Sequence, residues 1–129
     1  MSDYSHIAQL LAEGLDSTAQ VRQHYVGTQP YCWAYRRNAG QGGDEVLAVG
    51  SGTDAVSAWR MLLGQLARDE RRLSTGEVAV LLNVSEGRVR QLMARGGLVP
   101  VVTGAGSASS RFDATVVARY IRLPLRSER

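Results

Sequence analysis

The chain contains no lysine: all 15 of its basic side chains are arginine. Such a complement would suit phosphate recognition, since each guanidinium is a planar fork of donors, but biased codon usage in a GC-rich genome accounts for it more simply. A single cysteine, Cys32, excludes an internal disulfide, and with only His6 and His24 as imidazoles no metal-ligand spacing can be read. Neither redox nor metal chemistry is expected, and no cofactor. No apolar run approaches the ~20 residues that a bilayer-spanning helix needs, and residues 1–6 lack the basic start of a secretory signal. The expectation is a cytoplasmic protein with no membrane partner.

Enough apolar material is present for a core: 44% of the 129 residues are hydrophobic and 21% charged, the range of a folded chain. The length suits one ordinary domain or two very small ones, and two are expected, with the junction near residues 71–74. Charge separates them. Residues 1–72 carry seven arginines against eight acids, net −1, whereas residues 73–129 carry eight against four, net +4. The positive charge of the chain therefore lies in its second half.

In the first half, Ile7, Leu10, Leu11 and Leu15 recur at helical spacing and give residues 4–15 one apolar side. Residues 21–26 are ambiguous. The aromatic run Tyr31, Cys32, Trp33, Ala34, Tyr35 predicts a strand ended by Arg36 and Arg37. Turn chemistry over residues 38–44 and a second strand over 45–49 complete a hairpin. After Gly50-Ser51-Gly52, Thr53 or Asp54 caps a long helix in which Ala55, Trp59, Leu62, Leu63 and Leu66 share one face, running to about Arg72. The Gly50–Thr53 stretch stands where a phosphate loop stands but lacks the Gly-Lys-Ser/Thr ending, so it reads as a turn plus N-cap. Cys32 reads as a buried structural thiol, and the alternating aromatic face as core packing or a subunit interface.

The second half opens on a capping box, Ser74-Thr75-Gly76-Glu77. Val78, Leu81 and Leu82 make the buried face of a first helix, and Asn83-Val84-Ser85 turns into a second that Ser85 caps. In that second helix Val89, Leu92 and Met93 point inward, leaving Glu86, Gly87, Arg88, Arg90, Gln91 and Arg95 outward. Gly96-Gly97 ends it. A strand over residues 98–102, a loop over 104–109, a return strand at 110–112, and a helix capped by Asp113 with Val116, Val117, Tyr120 and Ile121 toward the core complete the order.

The run L-S-T-G-E-V-A-V-L-L-N-V-S-E-G-R-V-R-Q-L-M-A-R-G-G-L-V-P-V-V, followed by S-R-F-D before the last helix, resembles the excisionase-like branch of the MerR-type winged helix-turn-helix proteins. The resemblance covers about 50 residues. It implies an α+β chain in which a small N-terminal unit of helix, β-hairpin and helix precedes a winged helix-turn-helix, the helix from Ser85 to Arg95 lying in the major groove of double-stranded DNA. Carried over by position, Ser85 caps that helix, Glu86, Gly87 and Arg88 face bases, and Arg90, Gln91 and Arg95 hold phosphates or further bases. Thr75 and Arg111 are expected at phosphate oxygens. Two features depart from the family: the wing, residues 103–110, holds no cation before Arg111, and Gly87 offers no side chain where a base is often read. Both imply modest affinity for a single copy and hence binding as a dimer or array.

The resemblance thus implies sequence-specific DNA binding, as a small transcription regulator or as an architectural factor for recombination, and no enzymatic or catalytic role. Residues 1–72, with the wrong charge for DNA, are expected to mediate self-association or to hold a protein partner. MerR regulators proper continue into a long dimerisation helix; residues 124–129 are too few for one, so effector sensing of that kind is not expected. The alternative is an adaptor that uses the winged helix as a protein-docking module.

Overall fold

The computed structural model describes residues 3–38, 43–68, 72–104 and 106–125, and of residues 3, 38, 102–104 and 106–109 only the backbone. Among these the protein is α+β, with five helices and two antiparallel three-stranded sheets. The order is α1 (Asp3–Leu15), β1 (Gln20–Val26), β2 (Gln29–Asn38), β3 (Gly43–Ser51), α2 (Ala55–Arg68), β4 (Arg72–Ser74), α3 (Thr75–Leu82), α4 (Glu86–Ala94), β5 (Val102–Gly104), β6 (Gly106–Asp113) and α5 (Ala114–Ile121). No described helix is long and apolar enough to cross a membrane.

The first sheet runs β1-β2-β3. The ambiguous segment 21–26 forms β1 because a two-residue turn folds it onto β2; Gly27 takes φ 64 there, a conformation that costs glycine little. β2 continues through Arg36 and Arg37, where the sequence predicts its end. Their partners in register explain this: Arg36 faces Glu45 and bonds both Glu45 and Asp16 at 2.8 Å, while Arg37 faces Asp44. The expected turn residues 39–42 lie outside the described residues, as do 69–71, expected as the last turn of α2.

Alternation along β2 sorts its side chains onto two cores. Cys32 and Ala34 face α1 and α2, joining Leu47, Ala48, Trp59, Leu62 and Leu66. Of the apolar side read for α1, Leu15 packs against this cluster, but Ile7, Leu10 and Leu11 are 45%, 55% and 36% exposed, and Ala8 and Ala12, one turn apart, are buried in their place. Their small side chains let α1 lie close against its neighbours. Close approach also explains Gly50 and Gly52. A Cβ on Gly50 would overlap the Ala58 carbonyl oxygen and stand 2.6 Å from the Leu62 nitrogen, and one on Gly52 would overlap Ser57 Cβ. Buried Gln65 of α2 accepts from the Val49 amide and donates to the Val49 carbonyl, satisfying backbone groups on the open edge of β3.

The other face of β2 carries Tyr31 and Trp33, both buried, with Tyr35 partly so. They pack in one cluster with Leu73, Val78, Leu81, Phe112 and Val117. The aromatic face is therefore covered from within the chain, and the larger core draws on residues from both sides of the expected junction at residue 72. The second sheet starts at that junction. β4, which the sequence reading leaves out, pairs with β6 through Leu73 and Phe112, giving the order β4-β6-β5.

Two further differences concern the second half. The expected strand over 98–102 begins only at Val102, because Pro100 has no N–H for a ladder; Leu98 is buried all the same, and the Val101 amide bonds the Arg111 carbonyl. β6 already begins at Gly106, inside the expected loop. In α5, Ala114, Val117 and Ala118 are buried, whereas Val116 and Tyr120 face solvent. Asp113 caps that helix as its position suggests, accepting from Thr115 and Val116.

Candidate nucleic-acid interface

The helix pair α3–α4 is built by local chemistry. Ser74 Oγ accepts from the Glu77 amide at 3.1 Å and the Glu77 carboxylate accepts from the Ser74 amide at 2.9 Å, so both halves of the capping box form. The same carboxylate takes Arg68 of α2 at 2.8 Å, tying the start of α3 to the helix before it. Asn83 ends α3 at φ 58, ψ 47, and the amides of Asn83 and Val84 return to the carbonyls of Val80 and Ala79. Two residues later Ser85 caps α4, accepting from the Arg88 amide at 3.1 Å.

Gly76 lies beside the start of α4: a Cβ there would meet Glu86 Oε2 at 3.3 Å, the far end of an exposed side chain that can move aside. At the other end, Gly96 takes φ 76 and the amides of Gly97 and Leu98 both reach the Leu92 carbonyl, which closes the helix as expected and turns Leu98 into the core.

α4 is anchored by Val89, fully buried, with Leu92 and Met93 partly buried beside the main core. Its remaining surface is open. Ser85, Glu86, Gly87, Arg88, Arg90, Gln91 and Arg95 are all exposed. Arg88 donates to Gln91 Oε1 at 3.1 Å, which sets a guanidinium and a carboxamide side by side, and Arg90 lies 3.6 Å from Glu86 one turn earlier. Both contacts are solvent-exposed, so exchange for an external acceptor is inexpensive.

Two of the anticipated residues stand apart from this surface. Thr75 is only 3% exposed; as the first residue of α3 it turns into the core, so its side chain cannot reach a phosphate. Arg111 is half-buried on β6, between β4 and β5, with Nη1 donating to the Ser110 carbonyl. Its Cα lies opposite Ser74 in the ladder, which brings the second sheet to the start of α3. The tip of the expected wing, Ala105, lies outside the described residues. Asn83, whose left-handed conformation ends α3, is visible in the sequence only as part of the turn, and Gly76 only as a member of the capping box.

The other candidate sites take structural roles. Burial pushes the Cys32 thiol up to about 12, so no thiolate forms near neutral pH. At the Gly50–Thr53 stretch, the start of α2 is taken by Asp54, whose carboxylate accepts from the Ser57 amide and is lowered by that bond. A carboxylate in this place opposes an incoming phosphate.

No protein-family model matches the chain, and neither the curated proteins nor the solved structures yield a match.

Proposed function

We propose that the protein binds double-stranded DNA, with α4 as the recognition helix of a winged helix-turn-helix and β5–β6 as its wing. The observation that carries this reading is the exposed face of α4, where Arg88, Arg90, Gln91 and Arg95 are displayed on a helix held from behind by Val89. The sequence resemblance, the three-residue turn and the net +4 of residues 73–129 support it. A helix of this diameter fits the major groove, and Arg88 suits guanine O6 and N7. Arg90, Gln91, Arg95 and Arg111 are assigned to the phosphates and flanking bases, and Glu86 and Gly87 to the base edges. In this reading the chain is a cytoplasmic DNA-binding protein, a transcription regulator or an architectural factor, and not an enzyme.

One α4 offers three arginines, so tight binding at physiological salt calls for two copies on adjacent half-sites. A salt series on the complete chain with duplex fragments tests the proposal. Binding through several arginines weakens steeply as salt rises, with a slope of about −0.9 for each phosphate contacted. Retention of no duplex even at low ionic strength rejects it. An adaptor contact dominated by apolar surface would show little salt dependence. A single short footprint fits a regulator, and adjacent occupied repeats with bent DNA fit an architectural role.

A further inference from the structure

The two outer edges of the first sheet are treated differently. Along β3, Gln65 occupies the amide and carbonyl of Val49, and the Thr115 hydroxyl accepts from the Val46 amide. β1 is closed by the same device only where it begins: Gln9 of α1 donates to the Ala19 carbonyl at 2.9 Å and accepts from the Val21 amide at 3.1 Å. That contact fixes the direction of the groups that follow. Main-chain groups alternate between the two sides of a strand, so with the Val21 amide pointing away from β2, those of Gln23 and Tyr25 do so too, while Arg22, His24 and Val26 bond β2. The register agrees, since Val26 and Gln29 close the two-residue turn, and His24 and Arg22 follow at alternate positions opposite Tyr31 and Trp33.

Past Val21 this edge is open. Residues 22–26 are all exposed, and among the described residues none bonds the outward groups of Gln23 and Tyr25. Such an edge is a template for another strand, and folded chains normally blunt it with lysine, proline or a bulge. β1 has none of these, and Tyr25 and Val26 are 51% and 38% exposed. Its one cation, Arg22, is turned back over the Trp33 ring, 5.9 Å from the centroid.

The open stretch is self-complementary. In an antiparallel pair of β1 strands with the two His24 residues opposite each other, Gln23 faces the partner's Tyr25 and Tyr25 the partner's Gln23, and each pair exchanges both N–H···O=C bonds. Every outward group of Gln23 and Tyr25 is then used. Val21 comes opposite the partner's Gly27, so the second strand turns away just where Gln9 closes the edge. Pairing centred on Gln23 would instead set Tyr25 against Val21, whose amide Gln9 already holds. Length therefore selects the occupant: the edge accepts a strand that ends in a tight turn opposite Val21, and β1 is such a strand.

We propose that the chain forms a two-fold dimer by pairing β1 with β1 of a second copy, centred on His24, which joins two three-stranded sheets into one. The inference stands on the edge of β1 and not on duplex binding. Where both hold, it supplies the two copies that adjacent half-sites call for. The overlap is short, which places the contact among small, reversible interfaces.

Cysteine cross-linking of the full-length chain tests both the pairing and its register. Cys32 is buried, so a cysteine introduced on β1 is the accessible thiol. In this register the Cα atoms at position 24 stand about 4.5 Å apart, within disulfide reach, and those at position 23 about 7–8 Å apart, beyond it. Under mild oxidation His24→Cys is expected to give disulfide-linked dimer, and Gln23→Cys at least about tenfold less. Both positions are exposed, and circular dichroism verifies that each variant folds. In sedimentation velocity up to millimolar concentration, the unmodified chain is expected to pass from monomer to dimer. Gln23→Pro, which deletes an outward amide and no bond to β2, is expected to stay monomeric; should it fail to fold, the cysteine pair decides alone. Equal cross-linking of the two cysteine variants, stronger cross-linking through Gln23→Cys, a chain that stays monomeric throughout, or a dimer that a folded Gln23→Pro leaves unchanged overturns the inference. No duplex is present in these measurements, so a monomer rejects the dimer without touching the duplex reading, and failure of the salt series leaves the dimer standing.

Discussion

The phenolic hydroxyl of Tyr31, at the start of β2, donates to the main-chain carbonyl of Leu81, at the end of α3, at 2.6 Å. Fifty residues separate the two. The carbonyls of the last helical turn have no partner within their own helix. Asn83 and Val84 serve Ala79 and Val80, and Gln29 of β2 reaches the Val80 carbonyl from 3.5 Å, but Leu81 takes its hydrogen bond from Tyr31. The first sheet thus completes the end of the helix that leads into the α4 turn. Burial of the ring raises the Tyr31 pKa, so the hydroxyl keeps its proton, and the bond, throughout the neutral range.

Tyr31→Phe keeps the ring and removes the donor. The Leu81 carbonyl is then buried without a partner, and stability falls by about 1–3 kcal/mol. Urea unfolding measures this as a lower midpoint with an unchanged slope, and a loss below a few tenths would mean that water replaces the bond.

Gly50→Ala places a methyl against backbone on two sides, where neither the Ala58 carbonyl nor the Leu62 amide can yield without moving α2. A loss of about 1–3 kcal/mol is expected. Gly14→Ala, in α1 with nothing within 4 Å of the new Cβ, is the contrast and gains about 0.5–1 kcal/mol from helix propensity. Thermal melts of the two variants shift in opposite directions.

The Arg36 guanidinium, bonded to Asp16 at 2.8 Å, holds that carboxyl well below the usual carboxylate range, with the Thr18 hydroxyl and amide adding to the effect. A depressed carboxylate stabilises the fold above its unfolded pKa of about 4. The contribution is lost as pH falls below that value toward the folded one. Asp16→Asn is therefore less stable than the parent at pH 6, and the difference shrinks steadily in chemical unfolding carried out at pH 4 and then below 3. A constant difference would show that the pair contributes through shape alone.

Cys32 is inert in the folded chain. A thiol-disulfide reagent at pH 8 reacts with it at the rate of unfolding, and in denaturant at once, because burial keeps the thiol protonated and out of reach. Rapid labelling of the native protein would contradict the packing of Cys32 between the sheet and the two N-terminal helices.

Arg88 and Arg111 separate two kinds of contact if α4 binds a duplex. Arg88→Ala should relax preference at one base pair by about 1–3 kcal/mol. Arg111→Ala should weaken all sequences alike and lower the salt slope by about one. Competition binding against single-base variants of a footprinted site measures both, and the opposite pattern would exchange the two roles.

Much of the second half is legible because its signals are local. Ser74 and Glu77, Ser85, Gly96 and Asp113 each act within four residues of their own position, and the structure forms every one of these caps and stops. The α4 surface follows from the same logic, since one inward stripe of Val89, Leu92 and Met93 leaves the other side outward. Thr75 was misplaced because the first position of a helix that enters a core can face either way. α1 was misread for a related reason: leucine spacing marks an apolar side, but contact distance decided that the alanine side would be buried.

What the sequence determined by itself was the capping of α3, α4 and α5 and the arginine-bearing side of α4, consequences of hydrogen bonds and periodicity within a few residues, together with the uneven division of charge; the stop of α2, read near Arg72, was not among them, since Arg72 opens β4. Only the tertiary structure decided that β4 joins the second sheet and that Tyr31 and Trp33 face the C-terminal segment. Those relationships join residues tens of positions apart. Their energy comes from burying one surface against another, and a linear pattern does not say which surface that will be.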